Sequence, residues 1–232
     1  MNIQELKGKA TYVMVKPYSE DNRENDAVQS VILDEVKSQL GKLGLTINVM
    51  HEINYDSQHI AKHYHEHYGR PYYGKLEDCL ATNKAIGMIV TNDNKTPEVI
   101  DSVRSVAGST LKVDKETGTP TRIHEPGTIR YNLSFIIYQM KNGVKRQDVV
   151  IPANVDDCKL VFDKDAERVD IYKNGTKVSE MFMTQNFIHT SSSVSDANNE
   201  IETFLDQHKL ERDKINNKLR KCIDGIKHNS VK

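Results

Sequence analysis

Apolar residues alternate between two spacings along the first half of the chain, and this alternation predicts strands and helices in turn. The short apolar and β-branched runs that predict strands lie at residues 11–15, 45–49 and 85–90. The segments that predict helices lie at residues 28–43, 56–68, 74–82 and 97–107. Strands that alternate with helices in this way indicate a layered domain built from both kinds of element.

The middle of the chain loses this alternation and predicts a β-rich insertion. Residues 111–127 are rich in turn-forming residues. Residues 131–184 alternate strand-like stretches with the pairs Asn142-Gly143 and Asn174-Gly175, and Asn-Gly is a strong hairpin signal. We therefore expect about two hairpins at about 131–184, inserted into one domain rather than forming a second domain.

The last part of the chain returns to the first pattern. Phe187 and Ile188 predict a core strand, and Ser193 is placed to cap a helix whose apolar residues recur at helical spacing up to residue 205. Residues 209–228 are strongly charged and predict an exposed C-terminal helix. We expect residues 1–232 to form a single domain.

Composition is that of an ordinary soluble protein. Of the 232 residues, 37% are hydrophobic and 28% are charged, and the net charge of -1 gives no general attraction to nucleic acids or anionic membranes. The apolar runs are too short to span a bilayer, and the first residues lack the apolar segment of a signal peptide. Three widely spaced cysteines fit free thiols in a reducing compartment. The expectation is a cytoplasmic protein with no membrane partner and no specific nucleic-acid partner.

Two stretches between residues 59 and 76 have features of known sites. His59, His63 and His67 lie four residues apart, so on a helix they would share one face and could bind zinc. A solvated polar helix face is the competing interpretation, because no fourth ligand is obvious. Residues 69–76 come close to a phosphate-binding loop, but Leu76 stands where that motif needs serine or threonine, and no strand precedes it.

His189 is the strongest candidate for chemistry. It follows the apolar pair Phe187-Ile188, at the end of a predicted strand. The helix that begins near Ser193 brings Glu200 back toward it, and a carboxylate in that place can fix the orientation and tautomer of an unprotonated imidazole. Ser191 can support the same network. These residue types suit a histidine nucleophile.

The sequence resembles the nucleoside diphosphate kinase family at five places that occur in the family's order. The matching stretches are Val13-Met-Val-Lys16-Pro17; His63-Tyr64 with Gly69-Arg-Pro-Tyr72-Tyr73-Gly74 and Leu76; Arg104 with Gly108 and Thr110; Pro126-Gly-Thr-Ile-Arg130; and Asn186-Phe-Ile-His189-Thr-Ser191 with Glu200. One such stretch alone is a modest signal. Five of them in the correct order are specific.

This resemblance implies an α+β fold with a ferredoxin-like antiparallel sheet covered by helices. It also implies an enzyme that transfers the γ-phosphate of a nucleoside triphosphate to a nucleoside diphosphate by a ping-pong mechanism through phospho-His189. Magnesium would bridge the nucleotide phosphates, as it usually does in phosphoryl transfer, without ligands from the protein. A homo-oligomer is expected by the same resemblance.

The family's residue roles carry over to positions that match its motifs. The resemblance implies that the base stacks on Tyr72 with Leu76 beside it, and that Lys16 and Asn186 hold the ribose hydroxyl. The residues that it places on the phosphates are Arg104, Thr110 and Arg130, with Tyr64 near the transferring group. His189, Glu200 and Ser191 would form the catalytic set.

The sequence also departs from the family pattern. Thr190 and Ser192 stand where the family has glycine and aspartate, and extra residues occur near 111–125 and across 131–184. These departures leave open an alternative hypothesis, a catalytically weak nucleotide-binding module whose insertion recruits a partner.

Overall fold

The computed structural model describes residues 9–92, 99–114, 116–183 and 186–207. The elements in chain order are β1 (Ala10–Val15), α1 (Asn22–Lys42), β2 (Leu45–Ile53), α2 (Ser57–His63), α3 (Tyr73–Ala81), β3 (Ala85–Asn92), α4 (Val99–Ala107), β4 (Lys112–Val113), β5 (Pro120–Arg122), α5 (Ile129–Lys141), β6 (Lys159–Asp163), β7 (Arg168–Lys173), β8 (Thr176–Phe182), β9 (Ile188–Thr190) and α6 (Val194–Gln207). The helix predicted at 209–228 lies outside the described residues. No helix in the described ranges combines the length and apolar character needed to cross a bilayer.

A four-stranded antiparallel sheet with strand order β2-β3-β1-β9 forms the centre of the fold. Successive residues of a strand point to opposite faces, and β1 is buried on both. Tyr12 and Met14 pack under α2, α3 and α6, whereas Val13 and Val15 pack under α1, α4 and α5. This strand order with helices on the sheet is the ferredoxin-like α+β arrangement, so the predicted fold class is confirmed.

The prediction of a β-rich segment across about 131–184 is wrong for residues 131–158, which contain no strand. Residues 129–141 form α5, which Thr128 caps by accepting a hydrogen bond from the backbone of Tyr131. The apolar residues of α5 are buried on two sides, with Leu133 and Ile136 toward the main core and Phe135 toward a second cluster. A helix that is buried on two sides has apolar residues on both and lacks the single apolar stripe by which a helix is recognised in sequence. Its continuous apolar run therefore resembles that of a fully buried strand.

The second Asn-Gly signal is confirmed and the first is not. Asn174 and Gly175 both have positive φ values, 51° and 80°, and form the turn between β7 and β8. Asn142 instead ends α5, and Gly143 follows it with a φ of 86°. Strands β6, β7 and β8 form a small antiparallel sheet with two hairpins. The β-rich part of the insertion is therefore confined to residues 159–182, and it packs on α5.

We expect Gly87→Ala to destabilise the fold by about 1–3 kcal/mol, as overpacking a core does. Gly87 lies in β3, and an added Cβ would lie 2.7 Å from Cε2 of Phe204 and closer still to side-chain atoms of Tyr12 and Ile53. Denaturant unfolding measures the change. Gly41→Ala is the matched control, because nothing lies within 4 Å of its Cβ position on α1 and it should stabilise by about 0.5–1 kcal/mol. Equal stability of the Gly87→Ala protein and the wild type would contradict the packing described for this face.

Candidate active site

His189 lies on the edge strand of the main sheet and is held by one buried carboxylate. It pairs with Met14 of β1, and its Nε2 lies 2.7 Å from Oε1 of Glu200, on α6. The second carboxylate oxygen accepts a hydrogen bond of 2.6 Å from Oγ of Ser191. With Glu200 ionised, Nε2–H donates to it, and the lone pair of the imidazole is on Nδ1.

Electrostatics keep this imidazole neutral. Burial, together with the charges of Lys16 and Arg130, holds the pKa of His189 well below its usual value. Burial also raises the pKa of Glu200 to about 7, against the opposing effects of His63 and of the Ser191 hydrogen bond. An unprotonated ring nitrogen is what a histidine nucleophile requires.

A tight turn precedes the strand that carries His189. Phe187 has a φ of 62°, and Ile188 N donates to the carbonyl oxygen of Asn186 across it at 2.7 Å, which makes a three-residue γ-turn. Such a backbone conformation is strained for a residue with a side chain. The turn buries the ring of Phe187 in the core, and Asn186 and His189 both reach the same cavity.

That cavity has a volume of about 800 Å³. It is lined by His189 and by every residue that the sequence places on the nucleotide, namely Lys16, Tyr64, Tyr72, Leu76, Arg104, Thr110, Arg130 and Asn186. Ser191 and Glu200 do not line it. Their side chains lie behind His189, and Glu200 contacts its ring.

Three buried polar atoms of the cavity-lining residues have no hydrogen-bond partner within the described part of the chain. They are the hydroxyl of Tyr64, Oδ1 of Asn186 and Nε of Arg130. Burial raises the pKa of Tyr64 well above its usual value, so its phenol remains a donor. Buried polar groups are almost always paired, so three orphans around one cavity indicate a polar ligand.

The cavity carries a strong positive charge. The guanidinium groups of Arg104 and Arg130 donate to backbone carbonyl oxygens, of Ser191 at 3.4 Å and of Gly108 and Ile188 respectively. Burial and the neighbouring Arg104 lower the pKa of Arg130 to about 10, and burial lowers that of Lys16 to about 8. A bound anion would offset the repulsion between the arginine side chains and the free-energy cost of burying Arg130 and Lys16 in their charged forms.

The structure brings to this site several residues that the sequence analysis did not place on the nucleotide or beside His189. His63 is buried, its Nε2 lies 3.8 Å from Oε1 of Glu200, and burial lowers its pKa to about 3. His67 contacts the hydroxyl of Tyr72 through Nδ1 at 2.8 Å. Other residues of the insertions that line the cavity are Lys112, Arg122, Glu167 and Met183. Of these, His63 and His67 were named in the sequence as candidate zinc ligands, and His63 also stands in the His63-Tyr64 pair.

The structure does not support the zinc site considered for His59, His63 and His67. Helix α2 ends at His63, and His67 follows in a separate 3₁₀ turn, so helical spacing does not extend across the three. Among the described residues, the group that could hold a metal is His63, His189 and Glu200, whose ligand atoms lie within 4.8 Å of one another. Glu200 already binds His189 and Ser191, so we interpret this group as the support of His189.

Comparisons with known proteins point to one family. The nucleoside diphosphate kinase of Mycobacterium sp. (strain MCS) is 29% identical over 126 residues, which cover 54% of this chain and 78% of that protein. That of Mycobacterium ulcerans is 31% identical over 120 residues, 52% of this chain and 74% of its own length. A crystal structure of the Aquifex aeolicus nucleoside diphosphate kinase aligns at 17% identity with a TM-score of 0.49, over 84% of this chain and 94% of that one. The sequence model of the nucleoside diphosphate kinase family matches residues 9–166. Since that match spans more than half of the chain, the protein belongs to the nucleoside diphosphate kinase family.

Proposed function

We propose that the protein is a nucleoside diphosphate kinase in which His189 carries the phosphoryl group between two nucleotides. The observation that carries the proposal is a neutral imidazole at the wall of a cationic cavity, with Nε2 bound to Glu200. That bond leaves Nδ1 as the nucleophilic atom. The family to which the chain belongs supports the same reaction.

The reaction has two balanced halves. Nδ1 of His189 forms a bond to the γ-phosphorus of a nucleoside triphosphate, and the bond from that phosphorus to the β–γ bridging oxygen breaks. The nucleoside diphosphate leaves with the electron pair. A different diphosphate then attacks the phosphohistidine through a terminal β-oxygen, forms a new triphosphate and restores the imidazole. Glu200 accepts the Nε2–H bond throughout and stabilises the positive charge that develops on the ring.

The phosphates fit the cations of the cavity. Arg104, Arg130 and Thr110 line the cavity and would bind phosphate oxygens. Tyr64, whose ring centroid lies 5.1 Å from that of His189, would donate a hydrogen bond from its hydroxyl to the transferring group. Guanidinium groups bind phosphate strongly through parallel hydrogen bonds. Such preorganised charges lower the barrier where negative charge is spread over the transferring phosphoryl group.

Magnesium fits this site only by way of the nucleotide. Within the described part of the chain, the single carboxylate at the cavity wall belongs to Glu167, which pairs with Lys75 at 3.0 Å. Magnesium prefers carboxylate or phosphate oxygens, so the phosphates themselves would supply its ligands. When bound, the ion would neutralise phosphate charge. Lys16 and Asn186 would hold the sugar.

The base would lie near the mouth of the cavity. Tyr72 is 42% exposed there, and Leu76 lies beside it at the cavity wall. An aromatic ring stacks on every base, so broad base specificity follows. Thr190 and Ser192 line the cavity. The match to the kinase family and its curated members supports an active kinase over a module that only binds nucleotide.

The half-reactions test the proposed function. Protein incubated with γ-labelled ATP and freed of nucleotide should retain acid-labile phosphate, and addition of unlabelled GDP should convert that phosphate to labelled GTP. A protein that takes up no label, or that keeps its label when GDP is added, is not this enzyme.

The labelling rate should rise with pH between about 6 and 8. Burial raises the pKa of Glu200 from 4.5 to about 7. Below that value the carboxyl is neutral, and its charge no longer stabilises the Nε2–H tautomer or the positive charge that develops on the ring. The rate should therefore fall by up to about tenfold per pH unit, until it reaches the level of a neutral partner. His189 itself does not charge in this window, because its own pKa is far lower. Single-turnover labelling at a series of pH values measures this rise in rate. Glu200→Gln, whose side chain does not ionise, should not show it.

Two further proposals concern the assembly of the protein, which the resemblance implies, and its location, which the composition and cysteine usage indicate. We expect a homo-oligomer in solution, which sedimentation of the purified protein tests, and a cytoplasmic location, which cell fractionation tests. A strictly monomeric, fully active protein would contradict the first proposal.

A further inference from the structure

We propose that Arg122, supplied by the extra residues near 111–125, is a positioning residue of the phosphate end of the cavity. It would orient the hydroxyl of Thr110 toward the phosphates and add a third guanidinium to those of Arg104 and Arg130. The inference rests on the proposed function, because it concerns the same nucleotide.

Arg122 holds Thr110 by two hydrogen bonds, an arrangement called here the two-point hold. Its Nε donates to the backbone carbonyl oxygen of Thr110 at 2.8 Å, and Nη2 donates to Oγ1 of the same residue at 3.1 Å. Both residues line the cavity. Because Oγ1 accepts a hydrogen bond from Arg122, the hydroxyl proton of Thr110 is left to donate elsewhere. A phosphate oxygen in the cavity is the acceptor that the proposed reaction provides.

His124 and Glu125, which follow Arg122 in the chain, hydrogen-bond to Ser109, the residue before Thr110. His124 is buried, and its Nδ1 lies 2.8 Å from the carbonyl oxygen of Ser109. Oε2 of Glu125 accepts from the backbone N–H of Ser109 at 2.6 Å. Burial lowers the pKa of His124 to about 4, so it remains a neutral donor to that carbonyl. Arg122, His124 and Glu125 therefore hold the backbone N–H and carbonyl groups of Ser109 and the carbonyl group of Thr110.

A compact hairpin holds Arg122 in place. Strands β4 and β5 pair Lys112 with Arg122, and the turn between them is closed by Asp114, whose side chain accepts from the backbone of Glu116 and Thr117. Asp114 also exchanges backbone hydrogen bonds with Gly118 and Thr119. This side-chain closure is a local turn device that does not depend on the rest of the fold. The hairpin thus offers a rigid support for one long side chain.

The charge of Arg122 adds to that of the other two arginines. In the described part of the chain, its hydrogen bonds go to Thr110, and the nearby carboxylate of Glu125 interacts electrostatically with it and offsets part of its charge. Arg104 and Arg122 both act to lower the pKa of Arg130, which places three like charges around one cavity. Such a cluster is stabilised by a polyanion, and its contribution should grow with the charge of the ligand.

Binding of a graded series of ligands tests the proposal. The affinities of AMP, ADP and a non-hydrolysable ATP analogue are measured by calorimetry for the wild type, Arg122→Met and Arg122→Lys. We expect Arg122→Met to weaken the ATP analogue on the order of tenfold, ADP less and AMP hardly at all, as loss of one charge-assisted contact implies. Arg122→Lys, which keeps the charge and loses the two-point hold, should fall between. Arg23→Met is the matched control, since Arg23 is exposed on α1 and outside the cavity, and it should bind as the wild type does.

A double-mutant cycle with Thr110→Val tests the route of the effect. If Arg122 acts through the Thr110 hydroxyl, Arg122→Met should cost much less in the Thr110→Val background than in the wild type. Equal weakening of all three ligands, or fully additive effects of the two substitutions, would overturn the inference. A melting temperature is measured for each variant, and a uniform loss of affinity that follows a lowered melting temperature counts as a structural role and also overturns it. Wild-type protein that is labelled by ATP while Arg122→Met binds normally refutes only this inference, whereas absence of labelling refutes the proposed function.

Discussion

Replacement of His189 by alanine should abolish phosphate labelling and nucleotide exchange, with a loss on the order of 10⁴-fold or more. Nδ1 of His189 is the atom that would form the bond to phosphorus, so alanine at this position removes the proposed intermediate. Nucleotide binding should survive, because Arg104, Arg130 and Lys16 are unchanged. The labelling assay with γ-labelled ATP and calorimetry with ADP measure the two properties separately.

His59→Ala is the control for this experiment. His59 lies on α2, is partly exposed and does not line the cavity. It should be labelled as the wild type is. If the His189→Ala protein took up as much label as the His59→Ala protein, the phosphate would reside elsewhere and the role of His189 would be wrong.

Glu200→Ala should slow the labelling step by about 10²- to 10³-fold, a size typical for the loss of one group that positions a proton in the transition state. Without the carboxylate, nothing holds the proton on Nε2, and both tautomers of His189 become populated. Glu200→Gln should lose less, because its amide oxygen can still accept from Nε2–H. Rates of single-turnover labelling at saturating ATP measure both variants.

A change in affinity alone would not fit this account. Glu200 is buried behind His189 and does not line the cavity, so its loss should lower the rate and leave nucleotide affinity nearly unchanged. Ser191→Ala offers a milder perturbation, because it removes only the hydrogen bond to Oε2. If Glu200→Ala labelled as fast as the wild type, the carboxylate would have no part in orienting the imidazole.

The sequence predicts the elements of the fold correctly where a segment shows mainly one spacing of apolar residues, that of a strand or that of a helix. The strands near residues 11–15, 45–49 and 85–90 were predicted because β-branched and apolar runs end at turn residues. Helix α5 was missed because it is covered on two sides, by the main core and by the small sheet. The extent of an element buried in this way depends on neighbours that are distant in sequence, and local pattern does not carry that information.

The candidate site likewise has one part that local sequence pattern predicts and another part that it does not. His189 and Glu200 lie eleven positions apart on a strand and the next helix, so their contact could be predicted from local pattern. The predicted nucleotide residues came only from the family resemblance, and the structure gathers them around one cavity. Arg122, Glu167 and Met183 could not be predicted, because they belong to segments outside that resemblance and reach the cavity only through folding of the insertions.

The position of the phosphate on the imidazole tests the central claim most directly. Phosphorus NMR of the labelled, denatured protein distinguishes phosphate on Nδ1 of a histidine from phosphate on Nε2. We expect the signal of Nδ1-phosphohistidine, because Nε2 of His189 donates to Glu200 at 2.7 Å and cannot attack. Phosphate on Nε2, or on a residue other than His189, would contradict the account.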